Sequence, residues 1–371
     1  RGLQDSTVSR ERKREKGMRK EIRRGRRRAR RRLGRRRFRI GTWWVVGLMA
    51  VLVVAGVTAF LEKRREWDDI SRLVAYAQER RLDPLVLIEA AGRANRILFL
   101  GDVHGSPAPK HWAAEAIEIL ASGPGLDAVV LEVGTDQQPY IDAYLASDPE
   151  NATILFAHPR TLHQAWGDDR AFLEIYRRVW KLNEELGAGR RIRIVAADLP
   201  GWPPEGRLPP PAAAAQYAAR DAHMEEVIER EVLSGRPKAR VLIFMGGYHG
   251  LKHGRATLSV AGASPVEVKW LGARLRERHP GEVFSILPDA PRGKSFRADV
   301  VAYAATRAFD LLQKNLGGAV SPFGLPVDER FDFLEAPILE ADLPGLKLTL
   351  DPKGYKLREM IDGYLFLGGG R

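Results

Sequence analysis

Hydrophobic positions along this chain fall into two alternating kinds of segment. Five short apolar runs, Ile97–Leu100, Ala128–Leu131, Ile192–Ala197, Val241–Met245 and Val283–Leu287, are almost unbroken. Runs of this length and continuity read as strands buried on both faces, as in a parallel sheet covered by helices. Between them, apolar residues recur at helical spacing near Lys110–Leu120, Gln137–Ala146, Asp169–Leu186, Ala213–Leu233 and Pro265–Arg278, which predicts amphipathic helices. The alternation predicts an α/β domain over residues 96–371, with a largely parallel central sheet and flanking helices. Residues 62–95 read as a charged helical spacer with a second helix near Asp83–Arg93. No repeat of solenoid period is present. The proline-rich stretch Leu199–Pro211 reads as a surface connection, with a lid over a site as the alternative.

The longest apolar stretch, Ile40–Leu61, holds 22 residues and no charge. As a helix it spans roughly 30 Å, the thickness of a bilayer's hydrocarbon core, and Trp43 and Trp44 stand at its start, where interfacial aromatics belong. The expectation is therefore an N-terminal transmembrane helix preceding the α/β domain.

Charge then separates arm from body. The formal charge is +13, but residues 1–39 hold 20 Lys and Arg against 4 Asp and Glu, leaving the remainder with a net charge of −3. The arm reads as disordered in isolation. Its place beside a membrane-length segment favours anionic lipid headgroups as its partner over nucleic acid. Arg35, Arg36, Arg37 and Arg39 belong to a larger cluster than Lys63, Arg64 and Arg65. The expectation is a single-pass protein with a cytoplasmic N-terminus and an extracytoplasmic body, periplasmic or at the cell surface. A signal cleaved after Val57–Ala59 is the alternative. The chain has no cysteine, which excludes a lipoprotein anchor, disulfides and thiolate metal sites.

In parallel α/β sheets, ligands bind beyond the carboxyl ends of the strands. The first run ends in Asp102 and His104, the second in Glu132, the third in Asp198 and the fourth in Tyr248 and His249. Four consecutive strands ending in ionisable groups point to one shared polar pocket. A carboxylate that follows Ala128–Leu131 is expected to be partly buried and to need a cation, a metal or a histidine, with His104 expected from the adjacent strand. Gly105, Gly246 and Gly247 allow close approach of backbone to a ligand. His111 is placed to face the same pocket from a helix. His253 follows His249 at helical ligand spacing, whereas His158, His163, His223 and His279 read as surface or loop residues. There is no G-x-S-x-G elbow, H-E-x-x-H, P-loop or dinucleotide fingerprint.

These residues resemble a known family. The stretch "RILFLGDVHGSPAPKHW" is similar to the first strand and turn of the ChaN-like, haem-binding-uptake and TIKI superfamily, which includes the erythromycin-esterase-like proteins. A second strand ending in Glu132, the helix "RDAHMEEVI" with Arg220, Asp221 and Met224, and the strand "FMGGYHG" with His249 follow in the family's order. Together they cover roughly residues 84–290. Asp102 stands where the family usually has Glu. The resemblance implies a hydrolase that activates water, metal-assisted in one version. His104 would then be base or ligand, Glu132 its orienting partner or co-ligand, and His249 a second base or ligand. Asp102 would belong to the catalytic set and Asp198 would fix a histidine tautomer. In the metal version, His104, Glu132 and His249 would hold a divalent ion. The other branch implies capture of haem or iron-porphyrin without catalysis, with Tyr248 or His249 as axial ligand and His111 nearby.

Overall fold

The computed structural model describes residues 18, 48–65, 67–157, 169–202, 209–253, 255–259, 264–289, 312, 316, 321–331, 339–343, 346–350 and 355–367. The chain divides into two units, Arg1–Asp68 and Asp69–Arg371.

In the first unit, residues 48–65 are helical and exposed throughout. This corrects the membrane reading. Among the described residues no helix is long and apolar enough to cross a membrane. Within the described helical residues 48–65, the charges of Glu62, Lys63, Arg64 and Arg65 end the apolar run, and a bilayer's hydrocarbon core accommodates such a cluster only at high cost. Residues 40–47 of the expected span lie outside the described residues, as does all of the basic arm except Met18. The transmembrane anchor, the bilayer and headgroup partners and the extracytoplasmic topology are withdrawn with it.

In the second unit the apolar runs become strands of one sheet. They are β1 (Ile97–Asp102), β2 (Ala128–Gly134), β3 (Arg193–Asp198), β4 (Val241–Gly246) and β7 (Val283–Asp289), joined by β8 (Phe323–Pro326) and β11 (Gly363–Phe366). The strand order is β3-β2-β4-β1-β7-β11-β8. The first six strands run parallel and β8 runs antiparallel to β11. The expected largely parallel sheet is thus corrected to a mixed one. A second, four-stranded antiparallel sheet, in the order β6-β5-β10-β9, accompanies it. It is built from β5 (Arg255–Ser259), β6 (Val266–Lys269), β9 (Leu339–Leu343) and β10 (Leu346–Leu350).

Strand periodicity decides how the main sheet is covered. Leu98, Leu100, Val129, Leu131, Ile194, Ala196, Leu242 and Phe244 enter one core. Their neighbours Ile97, Phe99, Val130, Val195, Ala197, Ile243 and Met245 enter another, because successive side chains point to opposite faces. Residues of the helices Pro84–Ala94, Pro107–Ser122, Gln138–Leu145 and Asp169–Leu186 fill the first core. Met224, Val227 and Ile228 of the Pro210–Ile228 helix, with Leu271 and Leu275 of the Leu271–Arg278 helix, fill the second. The edge strand β3 is held partly by side-chain amides. Gln138 accepts from the Ala196 amide at 2.8 Å and donates to the Ile194 carbonyl at 2.8 Å, while Asn183 does the same for both backbone groups of Ile192. The helix expected over Pro265–Arg278 begins only at Leu271, and Val266–Lys269 is strand β6.

Candidate active site

Parallel strands deliver their carboxyl ends to one edge, and the ionisable strand ends meet there. β1 closes on Asp102, whose side chain is fully buried between two cationic or hydrogen-bonding partners. Lys110 Nζ donates to its Oδ1 at 2.9 Å and its Oδ2 at 3.1 Å, and His104 Nδ1 lies 2.8 Å from Oδ2. The same ammonium donates to the Ser106 carbonyl at 2.9 Å and to the Val103 carbonyl at 3.4 Å. Lys110 is itself 0% exposed, so the turn between β1 and the next helix wraps around a buried cation. Gly105 completes that turn at φ 78°, where an L side chain would be strained.

Glu132 sits where the register between β2 and β3 shifts, between Leu131 and Gly134. Such irregularities re-aim side chains at sheet ends. Its Oε2 accepts from the Gly246 amide of β4 at 2.8 Å. Its Oε1 accepts from Arg220 Nη2 and stands 3.5 Å from His249 Nε2. Arg220 also donates from Nε to Asp198 Oδ1 at 3.1 Å and from Nη2 to Asp198 Oδ2 at 2.6 Å, so one guanidinium joins the ends of β2 and β3. The Trp202 ring caps it, with the guanidinium carbon 4.1 Å from the ring centroid. Tyr217 meets Trp202 edge-on at 5.1 Å.

His249 lies in the short turn Gly247–Gly250 that follows β4. Asp221, one residue beyond Arg220 on the Pro210–Ile228 helix, receives His249 Nδ1 at 2.9 Å and the Leu271 amide at 2.6 Å. Burial by itself would lower the His249 pKa, but the carboxylates of Asp221 and Glu132 outweigh it and push it up to about 10. Burial likewise opposes a charged Glu132, yet Arg220, then His249 and His104, hold its pKa well below the usual carboxylate range. His249 is therefore an imidazolium and Glu132 a carboxylate at neutral pH.

His104 completes the set. A methyl group added at Gly246 would stand 3.2 Å from both Cε1 and Nε2 of His104 and 3.4 Å from Glu132 Oε2, so the ring edge and the carboxylate both border that glycine. The expected pairing of His104 with Glu132 from an adjacent strand needs correction. β4 lies between β1 and β2, so the two come from non-neighbouring strands, and Glu132 meets Arg220, His249 and the Gly246 amide in addition to the electrostatic influence of His104.

The main sheet and its helices have known counterparts. The fold is related to that of an erythromycin esterase. A mutant of the esterase EreC in its open conformation is 11% identical with a TM-score of 0.50, over 76% of this chain and 93% of that one. A Bacillus cereus protein is 12% identical with a TM-score of 0.56, over 80% and 97%. A succinoglycan biosynthesis protein is 10% identical with a TM-score of 0.54, over 80% and 96%. At these identities the likeness is one of fold. No family model matches the chain, and no curated protein matches it. What is established is a fold distantly related to an esterase, carrying a buried polar cluster with catalytic potential.

The remaining expected residues fare differently. His111 is exposed, and the cation that its helix turn delivers to Asp102 is its neighbour Lys110. Tyr248 stacks on Trp270 at 6.1 Å, His253 stacks on Tyr355 at 5.5 Å, and His158 and His163 lie outside the described residues. His279 belongs to a half-buried ion cluster with Glu229 and Arg96. Among the described residues no group of three or more His, Asp or Glu side chains is disposed to hold a metal ion. Glu132 Oε1 already meets two cationic nitrogens, which would repel a third cation. Haem fits no better. An axial imidazole must be neutral, whereas both His249 nitrogens address carboxylates and the ring is held protonated. Residue types alone did not assign Lys110, Arg220, Asp221 and Trp202 their places. Arg220 and Asp221 did stand in the quoted helix motif, which was the available signal.

Proposed function

We propose that this domain is a hydrolase in which His104 activates water for attack on an ester or lactone carbonyl. One observation carries the reading. The side chains of Asp102, Lys110, Glu132, Arg220, Asp198, Asp221 and His249 are all at most 10% exposed, whereas that of His104 is 29% exposed. In a network sealed from solvent, His104 is the member that water and substrate can reach. The Asp102 carboxylate can only accept, so the neutral ring carries its proton on Nδ1 and presents Nε2 as the acceptor.

In the proposed reaction His104 Nε2 takes a proton as water oxygen bonds to the carbonyl carbon. The tetrahedral oxyanion is stabilised by the buried positive charge of His249. The C–O bond to the leaving group then breaks, and the alcohol leaves with the proton returned by His104. Glu132 and Arg220 hold the two histidines' surroundings rigid. The esterase name of a fold relative supports an ester as the substrate class, and the absence of a Ser or Cys nucleophile motif supports direct attack by water.

The test is hydrolysis of an ester panel, including p-nitrophenyl acetate and a macrolide lactone, by the full chain and its His104→Asn variant. A general base contributes about 10²–10⁴-fold, so the variant should lose at least about 100-fold in kcat while its circular dichroism is unchanged. A variant that retains the wild-type rate removes His104 from the mechanism.

A further inference from the structure

We infer that Lys110 is a positioning residue that sets the tautomer and orientation of His104 by holding Asp102 as a carboxylate. The inference rests on the reading of His104 as the base and names the group that makes it one. Lys110 is fully buried, in the first turns of the Pro107–Ser122 helix, a position where helix surfaces normally place lysine in water. Every acceptor it reaches belongs to one five-residue turn: the Asp102 carboxylate and the carbonyls of Val103 and Ser106. A lysine that merely neutralised a buried acid would need only the carboxylate. This one also fixes the backbone on both sides of His104, and its partner Asp102 Oδ2 is the atom that His104 Nδ1 addresses.

The chemistry follows from what each state of Asp102 can do. An ionised carboxylate accepts only, so the ring proton stays on Nδ1 and Nε2, the nitrogen on the Gly246 side, is left as the acceptor. Without Lys110, the Asp102 side chain is a buried anion with no cation beside it, and the least costly relief is uptake of a proton. The resulting carboxylic O–H donates to Nδ1, which moves the ring proton to Nε2. The ring would then present a donor where the reaction needs an acceptor.

The experiment is ¹⁵N–¹H spectroscopy of histidine-labelled full chain at a pH where the ring is neutral, in wild type and Lys110→Met, with His104 assigned by loss of its signal in His104→Asn. The expected result is a single Nδ1–H pattern in wild type and its loss in Lys110→Met, replaced by the Nε2–H pattern or a mixture. Retention of the wild-type pattern in a folded Lys110→Met protein overturns the inference and leaves Lys110 a structural counter-ion. If Lys110→Met does not fold, Lys110→Gln, which keeps donors but not the charge, is read by the same criterion. The readout is the ring itself. An inactive wild-type enzyme would therefore sink the hydrolase reading without touching this one, and an unchanged tautomer would do the reverse.

Discussion

Replacing Arg220 by methionine should destabilise the protein by roughly 3–5 kcal/mol at neutral pH, the usual cost of removing one partner from a buried ion pair. The side chains involved, Arg220, Glu132 and Asp198, are 6%, 5% and 0% exposed, so solvent cannot take over the guanidinium's role. An independent route gives a similar magnitude. The variant's least costly relief is to protonate one carboxylate, which at pH 7 costs about 4 kcal/mol for a group with an ordinary pKa near 4.3. That second route also fixes the pH dependence. The wild-type Glu132 pKa is depressed, so its stabilising contribution is present above the ordinary carboxylate pKa and is lost as pH falls through the folded-state value. The protonation cost in the variant shrinks to about 1 kcal/mol at pH 5. The stability difference between wild type and variant should therefore narrow on acidification. Urea unfolding of the full chain, followed by circular dichroism at pH 7 and pH 5, measures it. A difference below about 1 kcal/mol at pH 7 would refute the argument, since the carboxylates would then have to be solvated. A difference that does not narrow by pH 5 would refute it too.

Two further outcomes follow from the same geometry. The His249 pKa is raised to about 10, so the stability it contributes is fully present below its ordinary value near 6.5 and declines as pH rises through about 10. Asp221→Asn should flatten the fall in Tm across that window, and an unchanged slope would assign the dependence to another group. In Gly246→Ala the added methyl lies 3.2 Å from the His104 ring and should displace it, lowering kcat on an active ester by about 10-fold or more. Wild-type turnover in that variant would mean that the ring has room to spare.

Much of the sheet was legible because strands buried on both faces must be apolar at every position, as Ala128–Leu131 and Val241–Met245 are. The parts that were not legible lack that constraint. β8 is a four-residue strand that contains glycine and proline, and nothing in its composition distinguishes it from loop. Val266–Lys269 falls within the helix expected over Pro265–Arg278 because the apolar residues of that stretch suit a helical period. Its alternation of Val266 and Val268 with Glu267 and Lys269 is the period-two pattern of a strand. The 22-residue apolar stretch met the length rule for a span, yet among the described residues no helix is long and apolar enough to cross a membrane. For the site, the strand-end rule located Asp102, His104, Glu132, Asp198 and His249 at one edge. It could not give their partners, because pairing depends on strand order. β4 separates β1 from β2 only through a crossover, and Arg220 reaches Glu132 from 88 residues away. Lys110 carried no signal at all, since a lysine inside an amphipathic helix reads as solvated.

The charge arithmetic of the cluster connects its stability to its proposed chemistry. Asp102, Glu132, Asp198 and Asp221 supply four negative charges, and Lys110, Arg220 and the protonated His249 supply three positive ones. Buried charges are tolerated when they are matched, and a surplus of one sign is expensive in a medium of low effective dielectric. With His104 neutral the cluster carries one excess negative charge, and a proton arriving on His104 removes it. The imbalance thus sits beside the one member that reaches solvent, and the Asp102 carboxylate faces the nitrogen opposite the one that would receive the proton. A proton that a general base draws from water onto His104 would bring the charges of this network into balance at the point where the network opens to substrate.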